Sequence, residues 1–171
     1  VIFKRNNIQS GKISKTNTSL GVNSLAPATT RNRNTAIGTE AMYLNVNGDD
    51  NTAIGYQALR TGTNGARNVA IGNNTLMNNT TGGDNIAVGM QSLQSNTTGN
   101  NNVAVGRSSL YSNTSGSDNS AFGTQSLQSN TTGNSNVAVG RNSLSSNTQG
   151  YNNSASGAFS LYSNTTGNDN T

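Results

Sequence analysis

The sequence predicts an all-β chain, a parallel β-solenoid or β-roll of nine 17-residue coils, and three observations carry that prediction. Asparagine returns every 17 residues, from Asn17 and Asn34 through Asn153 and Asn170, with no insertion or deletion. Each unit then places a large, a small and a large side chain in succession, as in Val103-Ala104-Val105, the period-2 mark of a short strand. A glycine closes every triplet, and a second glycine closes nearly every unit, leaving no window long enough for a stable helix.

Residues 1–16 read as a lead-in, residues 17–169 as the nine coils, and residues 170–171 as the start of a tenth repeat. With the asparagine as position 1, the unit runs Asn-Val-Ala-Val-Gly-x-x-Ser-Leu-x-Ser-Asn-Thr-Thr-Gly-x-x. Residues 102–135 match residues 136–169 at 24 of 34 positions, which points to duplication of a two-coil block.

Position 1 supplies an expected amide ladder of Asn51, Asn68, Asn85, Asn102, Asn119 and Asn136, each side chain bonding to the next as in stacked parallel β structure. Positions 2 to 4 form the strand. The turn glycines at position 5 are Gly38, Gly55, Gly72, Gly89, Gly106, Gly123 and Gly140, with Gly21 and Gly157 at either end, and they call for a backbone angle or close approach that a Cβ would block. A phosphate-cradling loop would need a following helix and a lysine, and neither is there.

The expected structural core is thin. Position 4 contributes Ile37, Ile54, Ile71, Val88, Val105 and Val139, and position 9 contributes Leu59, Leu76, Leu93, Leu110, Leu127, Leu144 and Leu161. Each such burial yields roughly 1.5 to 3 kcal/mol, while ordering a residue's backbone costs on the order of 1 to 2 kcal/mol. One isolated coil therefore cannot fold, and stacking must satisfy the backbone of each coil against its neighbours. Because positions 2 and 4 point away from position 3, the strand has a β-branched face and an alanine face. One is a tight interior and the other a second packed surface, with another copy of the chain as its candidate cover in a closed, three-fold homo-oligomer. In the last coil Ser156 replaces the large residue of position 4; either Phe159 covers the lost volume, or that section is locally polar and Phe159 lies outside.

Composition removes most chemistry. With no cysteine and no histidine, the chain has no disulfides, thiol nucleophiles, imidazole bases or usual zinc ligands. The six acids are mostly turn residues without a supporting base or metal motif, so no enzyme, no metal and no cofactor are expected. No stretch is long and apolar enough to span a membrane. Residues 1–67 carry eight Lys/Arg against three acids, yet these are scattered without aromatic interleaving, so nucleic acid is not an expected partner.

The units Asn-Val-Ala-Val-Gly-Arg-Ser-Ser-Leu at 102–110 and Asn-Thr-Ala-Ile-Gly-Tyr-Gln-Ala-Leu at 51–59 resemble the head repeats of YadA-type trimeric autotransporter adhesins. They are also similar to 17-residue units of phage and virus tail-fibre proteins. The resemblance covers residues 17–171 and implies a homotrimer of left-handed β-rolls, extracellular, on a bacterial cell surface or a virion fibre, used for attachment or as a stalk. The adhesin heads run at a shorter period, so three extra residues must widen a turn here. The expected function is a structural or attachment segment, with a host-surface protein or glycan as receptor; Tyr43, Tyr111 and Tyr162 at position 10 are either sugar-stacking platforms or packing residues. The alternative is an ice- or surface-binding solenoid using its Thr and Asn columns, among them Thr80, Thr97 and Thr114 at position 13.

Overall fold

The computed structural model describes residues 2–5, 8–13, 17–25 and 32–171. Eleven strands make one sheet in strict sequence order: β1 (Ile2–Arg5), β2 (Ile8–Ile13), β3 (Thr18–Leu20), β4 (Thr35–Ile37), β5 (Thr52–Ile54), β6 (Val69–Ile71), β7 (Ile86–Val88), β8 (Val103–Val105), β9 (Ser120–Phe122), β10 (Val137–Val139) and β11 (Ser154–Ser156). From β3 to β11 every pairing is parallel and steps 17 residues, so Val103 lies beside Ile86 and Ser120. Nine parallel strands wound at this spacing are a β-solenoid, and no helix occurs among the described residues. The lead-in adds a feature with no repeat signal: β1 and β2 pair antiparallel, and β2 lies antiparallel along β3.

The strand is only three residues long because glycine turns it. Gly89 has φ +126°, and a Cβ there would sit 2.7 Å from the backbone of Gly106 in the next coil. After this corner the chain stays in register by donating alternately along the stack. Gly106 and Ser108 donate to Val88 and Met90 of the preceding coil (2.8 and 3.0 Å), whereas Leu110 and Ser112 donate to Ser126 and Gln128 of the following one (both 3.0 Å). The backbone of one coil is thus satisfied on both sides by its neighbours, which is why the isolated unit has no independent stability.

Three non-glycine positions per coil hold φ near +50° to +60°: positions 7, 9 and 17, for example Ser108, Leu110 and Asp118. Left-handed backbone is costly for an L-residue and worst for a β-branched one. None of these positions carries Val, Ile or Thr in any coil, although those residues crowd positions 2, 4 and 13. The left-handed turn at position 9 carries leucine into the interior, where Leu59, Leu76, Leu93, Leu110, Leu127 and Leu144 are fully buried and Leu161 partly so.

The interior faces the alanines. Ala36, Ala53, Ala70, Ala87, Ala104, Ala121 and Ala138 are fully buried and share one cluster with the leucine column. This corrects the expected core: Ile37, Ile54, Ile71, Val88, Val105 and Val139 lie on the outside of the strand, half-buried or exposed. The physical reason is width. Opposite walls joined by 17-residue coils come too close for a β-branched residue and a leucine to oppose each other, so the strand turns its smallest side chain inward.

Candidate interaction face

Two sets of side chains leave the coil with chemistry to offer, and both follow from which way the strand points. Inside, beside the alanine and leucine columns, the coil is lined by buried amides. At position 1, Asn102 Nδ2 donates to Gly116 O of its own coil (2.9 Å) and to Asn85 Oδ1 of the preceding coil (3.1 Å). Its Oδ1 accepts from the backbone N–H of Asn119 (3.0 Å) and from Asn119 Nδ2 (3.1 Å). The same arrangement links Asn51, Asn68, Asn85, Asn119 and Asn136, all fully buried.

Position 12 forms a second ladder, to which the sequence reading assigns no role. Asn113 Nδ2 donates to Asn96 Oδ1 (2.8 Å) and to Gly116 O (2.9 Å), so both ladders converge on the carbonyl of the position-15 glycine. A buried carbonyl with two lone pairs accepts both donors, and each coil is strapped across its polar corner. The signal was present as asparagine at position 12 in seven of the coils, with Gly62 breaking the run. The break is visible: Asn45 Nδ2, beside Gly62, is buried without a partner.

At position 13, from Thr63 to Thr148, the threonine hydroxyls donate to the carbonyl of the next threonine, as Thr80 to Thr97 (2.8 Å) and Thr97 to Thr114 (2.9 Å). These hydroxyls brace the stack rather than face water freely. Asn96-Thr97-Thr98 and Asn130-Thr131-Thr132 match the Asn-x-Thr pattern of a glycan acceptor, but both asparagines are held in the buried second ladder, where no sugar could be attached without opening the coil.

Outside, positions 2 and 4 of the nine parallel strands form a continuous stripe. Leu20 is 52% exposed, Ile71 37%, Ile86 43%, and Phe122, Val137 and Val139 each 42%. No position of this stripe carries a charge in any coil. Large side chains left half-exposed along a flat sheet are an unusual arrangement for a chain that stands alone. Ser156 also points outward and is exposed, so it leaves no interior volume to fill; Phe159 lies outside, packed on Tyr162 (5.7 Å) with the Arg141 guanidinium over its ring.

Ion pairs accompany the stripe in its earlier coils, between residues 33 and 84. At position 17, Arg67 pairs with Asp84 (2.6 Å) and Arg33 with Asp50, one coil apart. The hydrogen bond from Arg67 holds the Asp84 carboxyl below the usual carboxylate range, and that from Arg33 does the same for Asp50. On the far side of the glycine corner, Gln57 and Arg60 both donate to Glu40 (2.8 and 3.0 Å) and lower its pKa, while Arg60 lies over the ring of Tyr43. Tyr43 and Tyr111 are half-buried and Tyr162 is exposed, so position 10 is not one uniform aromatic platform. No group of three His, Cys, Asp or Glu side chains occurs together among the described residues. No family model, no curated protein and no solved structure matches the chain.

Proposed function

We propose that this array is a non-catalytic segment of an extracellular fibre, in which three copies close around a common axis through the stripe of positions 2 and 4. The observation that carries the reading is the uncharged, half-exposed stripe from Leu20 to Val139. Covering it contributes about 1 kcal/mol for each half-exposed β-branched side chain, a large sum over a repeated surface. A cyclic arrangement buries the same stripe on every copy, and a left-handed trimer is the form that the resemblance to adhesin heads and tail fibres implies.

Attachment to a host-surface protein or glycan then falls to columns that remain outside, such as position 6, where Tyr56, Met90, Arg107 and Arg141 differ from coil to coil. The setting is a bacterial surface or a virion. An ice-binding role draws less support, since the threonine hydroxyls are donated along the stack at a turn.

The test is native mass and sedimentation of the chain over a dilution series, alongside a Val105→Asp/Val139→Asp variant. Expected is a trimer for the parent chain and a monomer of unchanged β content for the variant, because both side chains point outward. A parent chain that stays monomeric at high concentration sinks the proposal.

A further inference from the structure

We propose that Asn64 is a site of spontaneous modification, at which the backbone nitrogen of Gly65 attacks the Asn64 side chain and converts its amide to an acid. The chain has two Asn-Gly pairs, Asn47-Gly48 and Asn64-Gly65, both at positions 14 and 15. Glycine after asparagine favours this attack because no side chain hinders the approach of its nitrogen. On sequence alone the two pairs are equivalent. The structure separates them.

At the first pair the nucleophile is engaged, since Gly48 N–H donates to Asn45 Oδ1 (3.1 Å). At the second, Gly65 N–H has no hydrogen-bond partner among the described residues. The electrophile is the reverse: Asn64 Oδ1 accepts a hydrogen bond from Asn47 Nδ2 (3.1 Å), which draws electron density from the Asn64 Cγ and stabilises the oxyanion that forms there. Both asparagine side chains are exposed, so water and base reach them. The turn around Gly65 also lacks a brace that later coils have, as does that around Gly48, whose carbonyl receives only Asn34 Nδ2. Gly116 O is held by two asparagine amides, but Gly65 O receives only Asn51 Nδ2, because position 12 of its coil is Gly62.

In the reaction the Gly65 nitrogen loses its proton to solvent base and bonds to Asn64 Cγ. The bond from Cγ to the side-chain nitrogen breaks, and that nitrogen leaves as ammonia, giving a five-membered imide. Water then opens either imide carbonyl, leaving aspartate or isoaspartate at position 64. No oxidant or reductant is involved. The isoaspartate product adds a methylene to the main chain between two inter-coil bonds, Asn64 N to Thr80 O (2.9 Å) and Arg67 N to Asp49 O (3.0 Å). It would loosen the third coil from both neighbours, so age would be written into the array at one place.

The whole chain is held at mildly alkaline pH, sampled over days, and peptide-mapped by mass with isoaspartyl methylation as a second readout. Expected is conversion at position 64 several-fold faster than at position 47, accelerating with pH. In denaturant that preference should shrink toward unity. Gly62→Asn, which rebuilds the missing brace, should slow position 64. Equal rates in the folded chain, or a preference that persists undiminished in denaturant, would overturn the assignment.

Discussion

The two asparagine ladders run along the same polar corner at the same spacing, yet one is unbroken from Asn34 to Asn170 and the other skips a coil at Gly62. The difference lies in what each amide holds. A position-1 amide such as Asn102 accepts the backbone N–H of the next coil, so removing it orphans a main-chain donor. A position-12 amide such as Asn113 bonds only to its two column neighbours and to a carbonyl that Asn102 also serves. The first ladder is part of the backbone hydrogen bonding, and the second reinforces it. A gap is tolerable in one and not in the other.

The largest expected effect tests that asymmetry directly. Asn102→Ala should destabilise the chain by about 3 kcal/mol, since it strands a buried N–H and removes further bonds. Asn113→Ala should cost about 1 to 2 kcal/mol, because no main-chain group is orphaned. Denaturant midpoints of the two variants decide it, and equal losses would break the distinction. Next in size is Gly62→Asn. A Cβ at Gly62 would meet its neighbours at ordinary contact distances, 3.4 Å to Asn45 Nδ2 and 3.6 Å to Leu59 Cγ. Joining the broken ladder should therefore raise stability by about 1 kcal/mol, read as a higher melting temperature.

The smallest effect concerns the outer column. Asp84 has its folded-state pKa lowered by the Arg67 hydrogen bond, so its contribution is present above the unfolded carboxylate pKa and disappears as pH falls through the lower, folded one. The pair is exposed and the contribution correspondingly slight. Melting curves of the parent and of Arg67→Gln should converge on acidification, and a gap that widened in acid would contradict the sign.

Much of this was readable before the structure. The 17-residue asparagine spacing gave the stacking and the register of every parallel strand, and glycine at position 5 marked the corner. The leucines were correctly placed inside. What misled was size: Ile54 and Val105 looked like core because they are apolar, but the interior is too narrow for them, and their exposure follows from Ala53 and Ala104 pointing the other way. Two further signals were present and unused. The absence of β-branched residues at positions 7, 9 and 17 announces left-handed backbone, and asparagine at position 12 announces the second ladder. The antiparallel pairing of β2 on β3 had no periodic signal to betray it.

The column at position 17 has a consequence for how such a chain can lengthen. Along the stack Arg33 precedes Asp50, Arg67 precedes Asp84, and Asn101 donates to Asp118 (3.1 Å), so donor and acceptor coils alternate from Arg33 to Asp118. A replication slip that copied the single coil holding Asp84 would set two carboxylates on adjacent coils, about 4.8 Å apart, with no donor between them. A slip of 34 residues would instead restore the alternation and every buried column together. The coil is the step of the fold, but where arginine and aspartate alternate, from Arg33 to Asp84, the pair of coils is the smallest insert that avoids a charge conflict, so this stretch lengthens by even numbers at little cost.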